Sequence, residues 1–319
     1  MKLVTAFLRL IRWPNLVFIV VTQFLFCYCI ASTLTYPHSS YDIISHYKNY
    51  LLLLSLSSVL IAAAGYIIND YFDLNIDRVN KPEKLVVEKI IKRRWAIIWH
   101  WVLSFAGICI GFYIAFKQGQ WAIAFANMGC VILLWFYSTT FKKKLLIGNV
   151  IISLLTAWVI LVFFVYLSYY PTLISFGPQE LYKFDISKLF KLAILYSGFA
   201  FIISLIREVI KDMEDMEGDA KYGCKTMPIV WGVPASKVFT AVWLIVLAGA
   251  LVIVQFYAMH LGWWWSVGYS VITIIIPLLW ILRKLYQAQV AKDYHQLSTA
   301  VKLVMLAGIL SMIFFKIYS

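Results

Sequence analysis

Six aspartates of this chain fall into two groups with one spacing. Asp70, Asp73 and Asp77 lie in NDYFDLNID, and Asp212, Asp215 and Asp219 lie in KDMEDMEGD. Both read D-x-x-D-x-x-x-D. On a helix, residues three and seven apart share a face, so each group predicts a stripe of carboxylates. Like charges at these spacings repel one another, and anions at a helix C-terminus add to the negative end of its dipole. A divalent cation removes the conflict. Mg²⁺ takes hard oxygen ligands, keeps several waters and bridges a few carboxylates to substrate phosphates. The stripes therefore predict Mg²⁺ held by Asp70, Asp73, Asp77, Asp212, Asp215 and Asp219, with a diphosphate between them and Asn69 as a neutral oxygen ligand.

Basic residues flank both groups. Arg78 and Lys84 follow the first, Lys142 and Lys143 stand in YSTTFKKK, and Arg207 and Lys211 precede the second. Together with metal they would neutralise a departing diphosphate. Tyr137 would donate a hydrogen bond to it or shield a cation with its ring. A single acidic cluster is more often a solvated loop than a metal site, whereas two copies of one spacing favour metal. The lysine run is equally well explained as anchoring at a membrane surface.

The elements that carry these residues are membrane spans. The 319 residues are 63% hydrophobic and 13% charged, with mean hydropathy +0.83, far from the composition of a water-soluble domain. Nine apolar stretches reach spanning length, at about 14–35, 50–69, 95–116, 120–139, 148–169, 190–211, 237–257, 262–282 and 297–317. KQGQ and AMHLG mark two tight hairpins. Most of the 28 Lys and Arg residues fall on the side that holds the N-terminus, both aspartate groups included. The positive-inside rule then predicts an N-in, C-out, all-α membrane protein with both Asp-rich loops, near 70–94 and 212–236, in the cytoplasm. Topology accounts for the net charge of +13, so no nucleic acid is required. No cleavable signal peptide is evident at the N-terminus. The five cysteines show no metal-ligand or disulfide spacing. The chain reads as one domain over 1–319, with a pseudo-repeat of about 1–140 and 141–285 plus a final helix.

On these residues the sequence resembles the UbiA-type intramembrane prenyltransferases, a bundle of nine helices with aspartate motifs after helices two and six. NDYFDLNIDRVNKPEK is similar to the first motif and KDMEDMEGD to the second; YSTTFKKK and Gly148–Asn149 are similar to the family's segments around helices four and five. The resemblance implies a Mg²⁺-dependent transferase with an isoprenyl diphosphate donor and a lipid or aromatic acceptor, working on the cytoplasmic side of a bacterial or archaeal membrane. It implies the same six aspartates, with Tyr137, as the catalytic set. REVIKDMEDMEGD looks most like the branch that adds geranylgeranyl to geranylgeranylglyceryl phosphate; an aromatic quinone precursor is the alternative acceptor. NKPEKLVVEKI departs from the basic, proline-rich run that many members carry there.

Two other classes compete. A transporter would also show pseudo-repeats, but here the carboxylates gather at one membrane face and the span interiors are nearly free of charge. A non-catalytic scaffold would have lost metal ligands, and all six aspartates are present.

Overall fold

A computed structural model describes residues 2–36, 43–169, 173–177 and 180–319; side chains 2, 35–36, 43–46, 84, 173–177 and 180–183 lie outside the described set. Among the described residues, nine helical segments are long and apolar enough to cross a membrane, and they coincide with the nine stretches read from hydropathy.

In chain order, a short helix α1 (Lys2–Leu10) precedes α2 (Trp13–Leu25), which continues through a π turn and a 3₁₀ turn to Leu34. Next come α3 (Ile43–Asn80), α4 (Arg93–Gln118), α5 (Trp121–Thr139) and α6 (Ile147–Ser168). The second half holds α7 (Ile186–Glu214), α8 (Met216–Lys221), α9 (Met227–Val230), α10 (Gly232–His260), α11 (Trp264–Ser270), α12 (Ile276–Gln287), α13 (Ala291–Leu310) and α14 (Ile313–Ile317). A π turn at Val271–Ile275 joins α11 to α12 just before Pro277, which has no N–H for the regular ladder.

Among the described residues, three short antiparallel strands accompany the all-α bundle of spans. They are β1 (Thr35–Tyr36), β2 (Leu173–Gly177) and β3 (Glu180–Phe184), in the order β1-β3-β2. Their backbone groups lie beyond the span ends, where pairing in a ladder satisfies them as water or helix would.

The chain divides into two compact units, 1–140 with 158–195 and 141–157 with 196–319. The first has two kinds of adhesion. At the end of α3 that carries the first aspartate group, Ala6 and Leu10 of α1 pack on Ile67 and Leu74 of α3, Val86, Val87 and Ile91 of the following loop, and Ala96 of α4. Burying each of the Leu, Ile and Val side chains contributes about 1.5–3 kcal/mol where water is the alternative. Within the spans lipid is the alternative, so close approach and hydrogen bonds matter more. Ser57 Oγ donates to the Gly107 carbonyl at 2.8 Å, and Asn127 Nδ2 donates to Ser57 Oγ at 2.8 Å, tying α3, α4 and α5. A Cβ on Gly107 would come within 2.7 Å of Ile61. The KQGQ hairpin closes at Gly119, whose φ of +72° glycine adopts freely and whose N–H caps α4 on Ala115. The second unit is cored by aliphatic residues of α7, α10, α12 and α13, among them Ile206, Ile210, Leu244, Leu278, Ile281 and Val301.

Candidate functional site

α3 does not end where its apolar run ends. It is 38 residues long, about 57 Å at 1.5 Å per residue. The part up to Ile68 already covers about 39 Å, more than a full bilayer core. Asp70, Asp73 and Asp77 therefore ride on the last three turns of a continuous helix, not on the loop expected from about 70 to 94. They form the predicted stripe: all three are half-buried on one face, while Phe72 and Asn75 between them and Arg78 just after them are exposed.

Two side chains organise this stripe. Asn69 Nδ2 donates to Asp73 Oδ2 one turn ahead, at 2.7 Å. Arg12, in the corner between α1 and α2, donates through Nη2 to Asp70 Oδ1 at 2.7 Å. Its guanidinium also stands 5.2 Å from the ring centre of Tyr66, one turn before Asp70. The adjacent Asp70 raises the Arg12 pKa above its already high ordinary value, against the desolvation that lowers it. The sequence reading missed Arg12 because it counted it with the other membrane-anchoring cations.

The predicted cation next to the stripe, Arg78, does not join it. Arg78 turns to the loop, where it pairs with Glu88 and reaches Asn75 Oδ1 at 3.5 Å. Its place in the helix explains this: the residue after Asp77 projects onto the next face, toward Glu88. Lys84 closes the 3₁₀ turn Pro82–Lys84; its side chain lies outside the described residues. Tyr137 is half-buried in the last turn of α5.

The second motif has the same spacing but a different shape. α7 ends at Glu214, Asp215 takes φ −97° and ψ 9°, and α8 restarts at Met216. Backbone bonds from Asp215 to Lys211 and from Asp219 to Asp215 persist across the break. The expected single helical stripe is thus a carboxylate on α7, one at a kink and one on α8. The Asp215 conformation lies in the sparsely populated bridge region, and Gly218, a poor helix former, sits in the short helix that follows.

Asn149 positions the first of these carboxylates. It is 6% exposed, in the first turn of α6, and its Nδ2 donates to Asp212 Oδ2 at 2.7 Å. Seven residues along α6, Thr156 meets Ser204 of α7 at 3.2 Å, so the antiparallel seam is pinned at two levels. Gly148 lets the chain close on Lys142: a Cβ there would lie 2.7 Å from Lys142 Cα and 3.0 Å from the Phe141 carbonyl oxygen. The Lys143 carbonyl accepts the Lys225 N–H at 2.8 Å, fastening this segment to the loop after α8. Arg207 and Lys211 share Glu208, at 3.0 and 3.4 Å. Arg207 Nε is buried and has no hydrogen-bond partner among the described residues. Cys224, whose N–H donates to the Asp219 carbonyl, is buried, and burial pushes its thiol pKa up, with Asp219 adding to the effect.

Among the described residues, no three His, Cys, Asp or Glu side chains converge as a preformed metal cage. Mg²⁺ does not demand one, since it is usually bound by one or two carboxylates plus substrate phosphates. The donor set suits it on one further observation. The Asn69 side-chain oxygen Oδ1 is buried without a hydrogen-bond partner among the described residues, an expensive state for an amide oxygen unless something else takes its lone pairs. It stands beside two carboxylates and is a hard ligand of the kind Mg²⁺ prefers.

Comparison with known proteins follows the same line. The model of the UbiA prenyltransferase family matches residues 24–306. Digeranylgeranylglyceryl phosphate synthase of Methanosphaera stadtmanae is 29% identical over 84% of this chain and 89% of its own length. That of Methanothermobacter thermautotrophicus is 32% identical over 61% of each chain. A solved structure from work on digeranylgeranylglyceryl phosphate synthase in membranes covers 98% of this chain and 99% of its own, at 26% identity and TM-score 0.60. A UbiA homologue from Archaeoglobus fulgidus, solved with GPP and Mg²⁺, aligns over 96% of this chain and 99% of its own at TM-score 0.54; at 17% identity this likeness speaks to the fold. By its nine spans, its two aspartate motifs and the extent of the family match, the chain belongs to the UbiA prenyltransferase family.

Proposed function

We propose that this integral membrane protein transfers a geranylgeranyl group from its diphosphate to geranylgeranylglyceryl phosphate, in a Mg²⁺-dependent step of ether-lipid synthesis. The observation that carries the reading is the pair of aspartate motifs at span ends, with the orphaned Asn69 oxygen in the first. The names borne by the relatives supply the acceptor.

Asp70, Asp73, Asp77 and Asn69 of the first motif and Asp212, Asp215 and Asp219 of the second would hold the metal. Bound Mg²⁺ would neutralise the diphosphate and make it a better leaving group. The chain's own residues do the rest. Arg207 offers a buried, uncommitted N–H to the leaving oxygens; Lys142, Lys143 and Lys211 add positive charge, and Tyr137 a hydroxyl. The donor's carbon–oxygen bond to diphosphate breaks and the diphosphate leaves, an ether bond forms to the acceptor hydroxyl oxygen, and that hydroxyl's proton passes to water. A motif at the end of a span suits a substrate with its charged head in water and its isoprenoid tail in lipid. We place the motifs on the cytoplasmic side from the distribution of Lys and Arg.

The test offers purified protein in nanodiscs labelled geranylgeranyl diphosphate and Mg²⁺, with geranylgeranylglyceryl phosphate and a dihydroxynaphthoate as parallel acceptors. Labelling of the glyceryl phosphate supports the proposal. Labelling of the aromatic acceptor alone reassigns the protein to quinone synthesis.

A further inference from the structure

Three of the proposed metal-binding carboxylates share one feature: a neighbouring N–H donor already holds one of their two oxygens. Arg12 holds Asp70 Oδ1, Asn69 holds Asp73 Oδ2 and Asn149 holds Asp212 Oδ2, each at 2.7 Å. For Asp70, with Oδ1 so held, Oδ2 is the oxygen that meets a cation. That matters for which cation binds. Mg²⁺ demands a near-ideal octahedron and is served by single oxygens, whereas Ca²⁺ takes six to eight ligands and accepts carboxylates through both oxygens.

We infer that Arg12 is a positioning residue that sets metal selectivity, by reserving Asp70 Oδ1 and restricting Asp70 to one-oxygen coordination. This rests on the proposed metal role of the first motif.

Arg12 is built for such a task. Its backbone takes φ 50° and ψ 52°, a left-handed conformation that non-glycine residues adopt at some cost and keep only where their surroundings enforce it. Here the Arg12 N–H donates to the Arg9 carbonyl at 3.0 Å, and the Arg12 carbonyl accepts the Asn15 N–H at 2.8 Å. Ala6 and Leu10, just before it, are buried in the cluster with Ile67 and Leu74 of α3. The side chain thus leaves a fixed corner and meets α3 at two successive turns, Tyr66 and Asp70. Membrane anchoring alone needs neither the strained backbone nor the directed contact. Selectivity is also the proper observable. The positive charge of Arg12 opposes every divalent cation, so its removal changes absolute affinities for Mg²⁺ and Ca²⁺ in the same direction, and their ratio isolates the restraint on Asp70.

The experiment measures Mn²⁺ bound to the detergent-solubilised full chain by electron paramagnetic resonance, and its displacement by Mg²⁺ and by Ca²⁺, without substrate. R12Q should move the Mg²⁺/Ca²⁺ ratio toward Ca²⁺ by about tenfold, the scale of one hydrogen bond to a charged group. R12K, which keeps the charge and one donor, should stay within about threefold of the wild-type ratio. Should R12Q fail to elute as a folded species, R12M in the same assay is expected to show the same shift. In a D70N background, R12Q should produce no shift. An unchanged ratio in R12Q, or an equal shift with and without Asp70, overturns the inference. If D70N itself leaves Mn²⁺ binding at wild-type strength, the metal reading of the first motif falls and carries this inference with it.

Discussion

Replacing Asn149 by alanine tests whether the hydrogen bond to Asp212 is part of the chemistry or an accident of packing. With Asp212 ionised, as its proposed metal role requires, the contact is a charge-assisted N–H···O bond of 2.7 Å from an amide that is 6% exposed. Bonds of this type contribute about 1.5–3 kcal/mol. Part of that will be recovered by water, since Asp212 itself is half-buried rather than enclosed. At 1.36 kcal/mol per decade, what remains corresponds to a loss of about tenfold to a hundredfold in kcat/KM. Stability should change less: Thr156–Ser204 and the aliphatic core of the second unit hold the helices together without Asn149. The assay is the initial rate of geranylgeranyl transfer over a range of Mg²⁺ concentrations, with Tm measured in parallel. N149A should lose rate at every Mg²⁺ concentration while Tm falls by only a few degrees. A wild-type rate and Mg²⁺ dependence in N149A, with D212N inactive, would refute the reasoning. The pairing would then be incidental to how Asp212 works.

Other expectations follow from the same contacts. Gly148→Ala would push a Cβ into the backbone of Lys142, which cannot swing aside as a side-chain tip can, and should cost about 1–3 kcal/mol, read as a lowered Tm. Lys142→Ala should raise the donor KM several-fold with kcat nearly retained, because its proposed part is to hold charge rather than to move a bond. Cys224, 4% exposed and with its thiol pKa raised, should react with maleimide far more slowly at pH 7.5 than after denaturation; mass spectrometry of the tryptic peptides reads this directly. A cysteine placed at the exposed Glu217 should be labelled from the cytoplasmic side of sealed vesicles, and labelling only from the opposite side would reverse the proposed orientation.

The spans were legible because only their apolar length matters: runs of about twenty residues have no other stable use. The Gly119 hairpin was legible for a local reason too, since a glycine flanked by polar residues between two spans has one economical conformation. Past the membrane edge, sequence says less. The two aspartate motifs are indistinguishable by spacing, yet α3 runs through the first and α7 breaks inside the second, because backbone continuity depends on packing beneath the stripe and not on the stripe. Asn149 was visible as part of a Gly–Asn pair at the start of α6, but its partner lies far away in the chain. Arg78 stands next to Asp77 in sequence and faces Glu88 in space, since one residue is a hundred degrees around a helix. Arg12 gave the least warning. Its one signal is a basic residue directly before Trp–Pro, where a helix begins and a preceding corner is required. The strands of the small sheet are only two to five residues long, too short for an alternating pattern to stand out.

The central claim is that the two aspartate motifs hold the Mg²⁺ on which prenyl transfer depends. It is tested most directly by following labelled geranylgeranyl into geranylgeranylglyceryl phosphate for the wild type with Mg²⁺, the wild type with EDTA, and the variants D70N and D212N. Transfer by the wild type with Mg²⁺, lost in the other three while all remain folded in detergent, is the predicted result. Full transfer in EDTA, or by either aspartate variant, would contradict it.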